Sequence, residues 1–221
     1  MQAEQLADFT WAFDVVHPDA DRRRAAIERE KGYQDDWARL HSWSRIVRPR
    51  SGDELPDPRL VAEHDQTEAA KRDVHARMFA APIWHYLNAP TPEERAPFAR
   101  FAVLYLRWET DYPQEWAEHA RSWTAKRHLL RTLAADGPTV ETHGELLGLV
   151  AAAIGREHRC EDLGYLKIAR SLHGPSVRMI VESAEQSLDG LVRLRAGYLR
   201  WALDNPAAPA TPASWRHWLR T

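Results

Sequence analysis

Apolar residues recur along this chain at the three- and four-residue spacing of amphipathic helices, and no alternating Val/Ile/Thr/Tyr run of useful length interrupts them. The pattern predicts helices near 2–15, 19–31, 34–47, 58–80, 82–88, 93–109, 113–135, 140–153, 157–172, 175–204 and 212–219. Prolines fall between the periodic stretches and mark the joints. The expected fold is therefore all-α. We expect a single bundle of about eight to ten helices over 1–203, in line with helical-bundle architecture, and a Pro/Ala linker with a short amphipathic helix over 204–221.

Several boundaries have a local cause. In "APTPEERAPFARF", Thr91 is placed to cap a helix that Pro92 opens, with Glu93 and Glu94 at the positive end of the dipole. In "LHGPSVRM", Gly174 stops one helix and Pro175 opens the next. "RPRSGDELPDP" (48–58) reads as the clearest loop, and "DNPAAPATPAS" (204–214) as an extended linker. The stretch 175–204 carries the longest stripe, from Val177 and Val181 through Leu188 and Leu191 to Tyr198 and Ala202. Gly190 and Gly197 share a face there and would let a neighbour approach closely. Arg195 interrupts the stripe. It is either an arginine at the bundle rim or one aimed into a cavity to bind an anion.

Composition narrows the class. Hydrophobic residues make up 44% and charged residues 28% of 221, which is globular. A formal net charge of −2 does not favour nucleic acid as the partner. One cysteine, Cys160, leaves no disulfide framework and no Cys-rich zinc site. The opening "MQAEQLADFTWAF" has neither the basic nor the long apolar region of a signal peptide, and no run is long enough to span a membrane, so a cytoplasmic location is expected. Ten tryptophans stand out, since Trp serves cores, interfaces and ligand sites alike. No phosphate-cradling glycine loop, dinucleotide fingerprint or H-E-x-x-H is present.

Four clusters could carry chemistry. His64, Glu68 and His75 fall within about 40° of one another on a helix, at roughly 100° per residue. Imidazoles and a carboxylate on one face suit a divalent transition metal, though Lys71 shares the stripe and would pair with Glu68. Glu115 and His119 form a second such pair, but the chain has no Glu-x-x-His of the kind di-iron bundles use. In "REHRCEDLGYLKIARSL" (156–172), His158 and Asp162 form a third, as ligands or as an acid–base pair, if the helix runs through them. The C-terminal "SWRHWLRT" sets Trp215, Trp218 and Leu219 on one face. So short a helix must dock, on its own domain or on a partner.

Arg121 and His128, with six residues between them, resemble the Arg-x4–6-His signature of HEPN-type ribonucleases. The resemblance covers those two residues and implies His128 as the acid–base group and Arg121 as the stabiliser of phosphate charge. The leading expectation is different: a non-enzymatic adaptor or complex subunit that meets a protein partner or another copy of itself through Trp-rich surfaces. A metal-dependent helical-bundle enzyme and a HEPN-like ribonuclease are the alternatives.

Overall fold

The computed structural model describes residues 6–47, 57–172 and 174–221. The fold is all-α: the described residues hold twelve α-helices, three short 3-10 segments and no strand. Most of the loop expected at 48–58, and residues 2–5 of the first expected helix, lie outside the described residues. Contacts divide the chain into two compact units, Met1–His85 and Tyr86–Thr221.

In the first unit a 3-10 segment, Ala7–Val16, packs on helix α1 (Ala20–Val47), which pairs with α2 (Pro58–His75). Phe9, Ala12, Val15, Ile27 and Val74 are buried among them. α1 runs unbroken through Gly32, where two helices were expected. Glycine in a helix interior costs only about 1 kcal/mol, which the packed helix absorbs. α2, by contrast, stops at His75 short of the expected 80, and α3 (Ala80–Asn88) follows. The reason is a distant side chain: the buried Glu30 carboxylate accepts the Phe79 N–H at 2.8 Å and the Gln34 amide at 3.0 Å.

The second unit contains α4 (Pro92–Arg95), α5 (Ala99–Asp111), α6 (Pro113–His119), α7 (Trp123–Asp136), α8 (His143–Gly155), α9 (Tyr165–Leu172), α10 (Pro175–Glu185), α11 (Gly190–Asp204) and α12 (Pro212–Trp218). α5 is its axis. Phe101 to Leu106, with Trp108 and Glu109, are all buried, so this helix is covered almost all round. α6, α7 and α8 pack on it, and α9 packs across α7 and α8.

Four expected helices are interrupted here. Pro97, which lacks an N–H, turns 96–98 into a 3-10 segment between α4 and α5. The expected 113–135 helix breaks at 120–122, where the Tyr105 hydroxyl donates to Ala120 O at 2.9 Å and accepts the Ser122 N–H at 3.1 Å. The expected 175–204 helix folds back at 186–189 into the α10–α11 hairpin. Asp189 caps α11 by accepting the Leu191 N–H at 2.8 Å, and Leu188, placed in the stripe by its spacing, is fully exposed at the turn. The ion pairs Arg200–Glu185 at 2.5 Å and Arg178–Asp204 at 3.3 Å join the antiparallel pair. The fourth interruption, at 156–164, belongs to the candidate site.

The C-terminal helix docks on α11. Thr211 and Ser214 form a capping box, and Ser214 Oγ lies 2.8 Å from the Tyr198 hydroxyl. Trp215 and Trp218 close on the Tyr198 ring at 4.7 and 5.5 Å between centroids. A methyl at Gly197 would meet the Trp218 ring at 3.2 Å, so that glycine serves the close approach its spacing suggested. Gly164 is tighter still: a Cβ there would lie 2.8 Å from Leu130 Cδ1 and 3.1 Å from Leu130 Cβ. Gly164→Ala should therefore destabilise the protein by about 1–3 kcal/mol, as overpacking does. A urea-denaturation midpoint unchanged from wild type would show that Leu130 moves aside freely.

Candidate functional site

The polar centre of the second unit grows from two positions where charge falls on an apolar stripe. Glu109 follows Tyr105 by one helical turn and Ala102 by two, and so lies on the buried side of α5. Lys126 precedes Leu129, Leu130 and Leu133 at the spacing of the buried side of α7. Both side chains are almost fully excluded from solvent, 1% and 0% exposed. A charge so placed requires a partner of opposite sign.

The partners come from 156–164. Where a helix was expected to run through this stretch, α8 ends at Gly155, Arg156 is extended, and the chain turns at 159–162. Asp162 Oδ2 accepts the Arg159 N–H at 2.8 Å and closes the turn. Glu161 takes a left-handed conformation at φ 68°, a strained setting for a residue with a side chain. His158 and Asp162 are thus not one helical turn apart on a common face, contrary to the expectation from their spacing.

This turn delivers Arg156, Arg159 and Asp162 to the buried pair. Arg156 grips Glu109 with both terminal nitrogens, at 3.0 and 3.1 Å, and reaches Asp162 Oδ1 at 2.9 Å. Lys126 Nζ lies 2.7 Å from Asp162 Oδ1 and 3.3 Å from Glu109 Oε2. Arg159 adds a contact to Glu109 Oε1 at 3.0 Å. The rings of Trp123 and Tyr165 cover the Lys126 ammonium at 5.6 and 5.7 Å. Burial alone would raise the Glu109 pKa. The Arg156 fork, with Lys126 and Arg159, more than offsets this and holds the carboxyl below its usual range. Three cations face two carboxylates, which leaves one positive charge in excess.

Beside this cluster opens a recess of about 420 Å³. Asp162 and Tyr165 line it on the cluster side. Ile154, Leu166, Leu199 and Trp215 are among its apolar walls, and Leu191 and Leu194, 59% and 37% exposed, belong to its rim. His158 and Arg195 also line it. Arg195 donates to Ile154 O at 3.2 Å. The volume lies within the range of small-ligand pockets.

No family model, no curated protein and no solved structure matches this chain.

The sequence-nominated metal ligands are spread over both units. His64, Glu68 and His75 lie on α2, where Lys71 at 2.8 Å and the Ser44 hydroxyl hold the Glu68 carboxyl down to about 2. Glu115 and His119 lie on α6, with His119 Nε2 3.8 Å from Glu118. Among the described residues no three His, Cys, Asp or Glu side chains group closely enough to hold a metal ion. Arg121 is exposed in the link before α7 and His128 is half-buried on α7, so the two do not share one helix. Cys160 is exposed in the 159–162 turn, with Sγ 3.9 Å from Glu161.

Of the buried cluster, Asp162 is among the candidates that the sequence pattern offers, whereas Lys126, Arg156 and Arg159 are not. A charged residue in phase with a leucine stripe was the available signal. Because the native Glu109 pKa lies below its unfolded value, its contribution is complete above the usual glutamate range and lost as pH falls through the native value. Glu109→Gln should cost about 3–5 kcal/mol at neutral pH by leaving buried cations underpaired, and should flatten the acid limb of a urea-stability profile. A variant within about 1 kcal/mol of wild type would contradict the paired-cluster account.

Proposed function

We propose that this protein is a non-enzymatic helical binding protein, an adaptor or complex subunit, whose working surface is the recess of the second unit. The observation that carries this reading is the contrast between floor and walls. At the floor, Asp162 has both carboxylate oxygens engaged within the protein, Oδ1 by Lys126 and Arg156 and Oδ2 by the Arg159 N–H. The walls are mostly apolar, with leucines, Ile154 and Trp215 beside Tyr198, His158 and Arg195, and are suited to burying an apolar group of a ligand or partner.

The same contrast ranks the alternatives lower. Two of the three acids nominated as metal ligands are occupied by cations, Glu68 by Lys71 and Asp162 by Lys126 and Arg156. It also moves the expected contact surface. Of the ten tryptophans, Trp43 and Trp84 are exposed, at 45% and 54%. The others are buried or half-buried, so the recess rim is leucine-rich and not Trp-rich.

An uncharged solvatochromic dye, N-phenyl-1-naphthylamine, tests the reading. It should bind at one saturable site, quench Trp215, and bind up to about tenfold more weakly to Leu194→Gln, from loss of part of a leucine contact, with no change in melting temperature. Absence of saturable binding, or binding indifferent to Leu194→Gln and to a second rim variant, Leu191→Gln, would contradict it.

A further inference from the structure

We propose that the recess is a site for an apolar monocarboxylate, an alkyl or aryl chain ending in one carboxylate that Arg195 holds. This rests on the recess being a binding site and adds the charge and chemical class of what it binds.

Arg195 is the first support. It lies on α11 with its side chain half-buried, and among the described residues its hydrogen bond goes to Ile154 O, with no carboxylate paired to it. An arginine that lines an apolar recess and carries no counter-ion has donors left for an anion, and its planar fork matches a carboxylate. Every other arginine of the nearby cluster is committed: Arg156 to Glu109 and Asp162, Arg159 to Glu109, Arg127 to Glu161 at 2.7 Å.

The second support is the charge of the wall. Asp162 is the one acid among the lining residues. It belongs to a cluster in which three cations meet two carboxylates, and adding the neutral Arg127–Glu161 pair leaves that excess unchanged. Lys126 and Arg156 are largely buried behind Asp162, where their field is poorly screened. Because the cluster binds both Asp162 oxygens, a negative head in the recess meets no unpaired acid and is attracted by Arg195, which repels a cationic head. One carboxylate matches this balance. The rest of the ligand is specified by Leu191, Leu194 and Leu199, which offer only carbon, and by the largely apolar Trp215.

The experiment displaces N-phenyl-1-naphthylamine from the full chain with decanoate, decanol and decylammonium, and repeats the titrations with direct calorimetry. Decanoate should compete about ten- to a hundredfold better than decanol, the range expected for hydrogen bonds to a charged group, and decylammonium should compete worst. Arg195→Met keeps the aliphatic stem and should bring decanoate to within about threefold of decanol while leaving decanol unchanged. His158→Gln, on the exposed stretch, should give a smaller loss confined to decanoate. Equal binding of decanoate and decanol to wild type, or unchanged decanoate preference in Arg195→Met, would overturn the carboxylate assignment and leave the recess reading standing. No binding of dye or of any decyl compound by either method would overturn both.

Discussion

The second unit depends on one constraint: Glu109 and Lys126 are buried on helices that the chain cannot leave unpaired. Neither helix supplies enough countercharge. Lys126 has Glu109 within 3.3 Å, but a lone buried pair still carries unsatisfied donors and acceptors. The link after α8 resolves this by breaking its helix and turning inward, so that Arg156, Arg159 and Asp162 complete a network in which the carboxylates are bound from several sides. The left-handed Glu161 is the local conformational cost of that turn. The recess follows from the same event, because a link held against α5 and α7 leaves open space between α8, α11 and the docked α12.

The same logic recurs where other helices end. Tyr105, from the middle of α5, captures the backbone at Ala120 and Ser122 and separates α6 from α7. Glu30, from α1, captures the Phe79 N–H and separates α2 from α3. In each case a buried side chain remote in sequence satisfies backbone groups that a continuing helix would have satisfied itself. Glu30 differs from Glu109 in sign: burial, only partly offset by the Phe79 and Gln34 bonds, raises its pKa. Its charge therefore disfavours the folded first unit as pH rises through that raised value.

This explains what could be read from the sequence. Helical class, the Thr91–Pro92 and Gly174–Pro175 boundaries and the C-terminal helix rest on local propensity, and they stand in the structure. Breaks at 76–79, 120–122 and 156–164 depend on tertiary partners and carry little local signal. The break at 186–189 is an intermediate case. Ser187, Asp189 and Gly190 are turn and cap residues, but an uninterrupted four–three stripe outweighed them in the sequence pattern. His158 and Asp162, paired by helical phase, lose their shared face because the chain between them is a turn. Arg195 was legible as a charge interrupting a stripe, and Glu109 and Lys126 carried the same mark.

Hydrogen exchange at the Arg159 amide tests the central claim most directly. That amide lies in an irregular link near the surface, yet its acceptor is Asp162 Oδ2, whose other oxygen is bound by Lys126 and Arg156. If the buried network holds the link in place, the amide opens only when the network does, and its protection should match that of the α5 core amides. Exchange at the rate of an exposed loop, with α5 still protected, would show that the link moves independently and that the network is not what shapes the site.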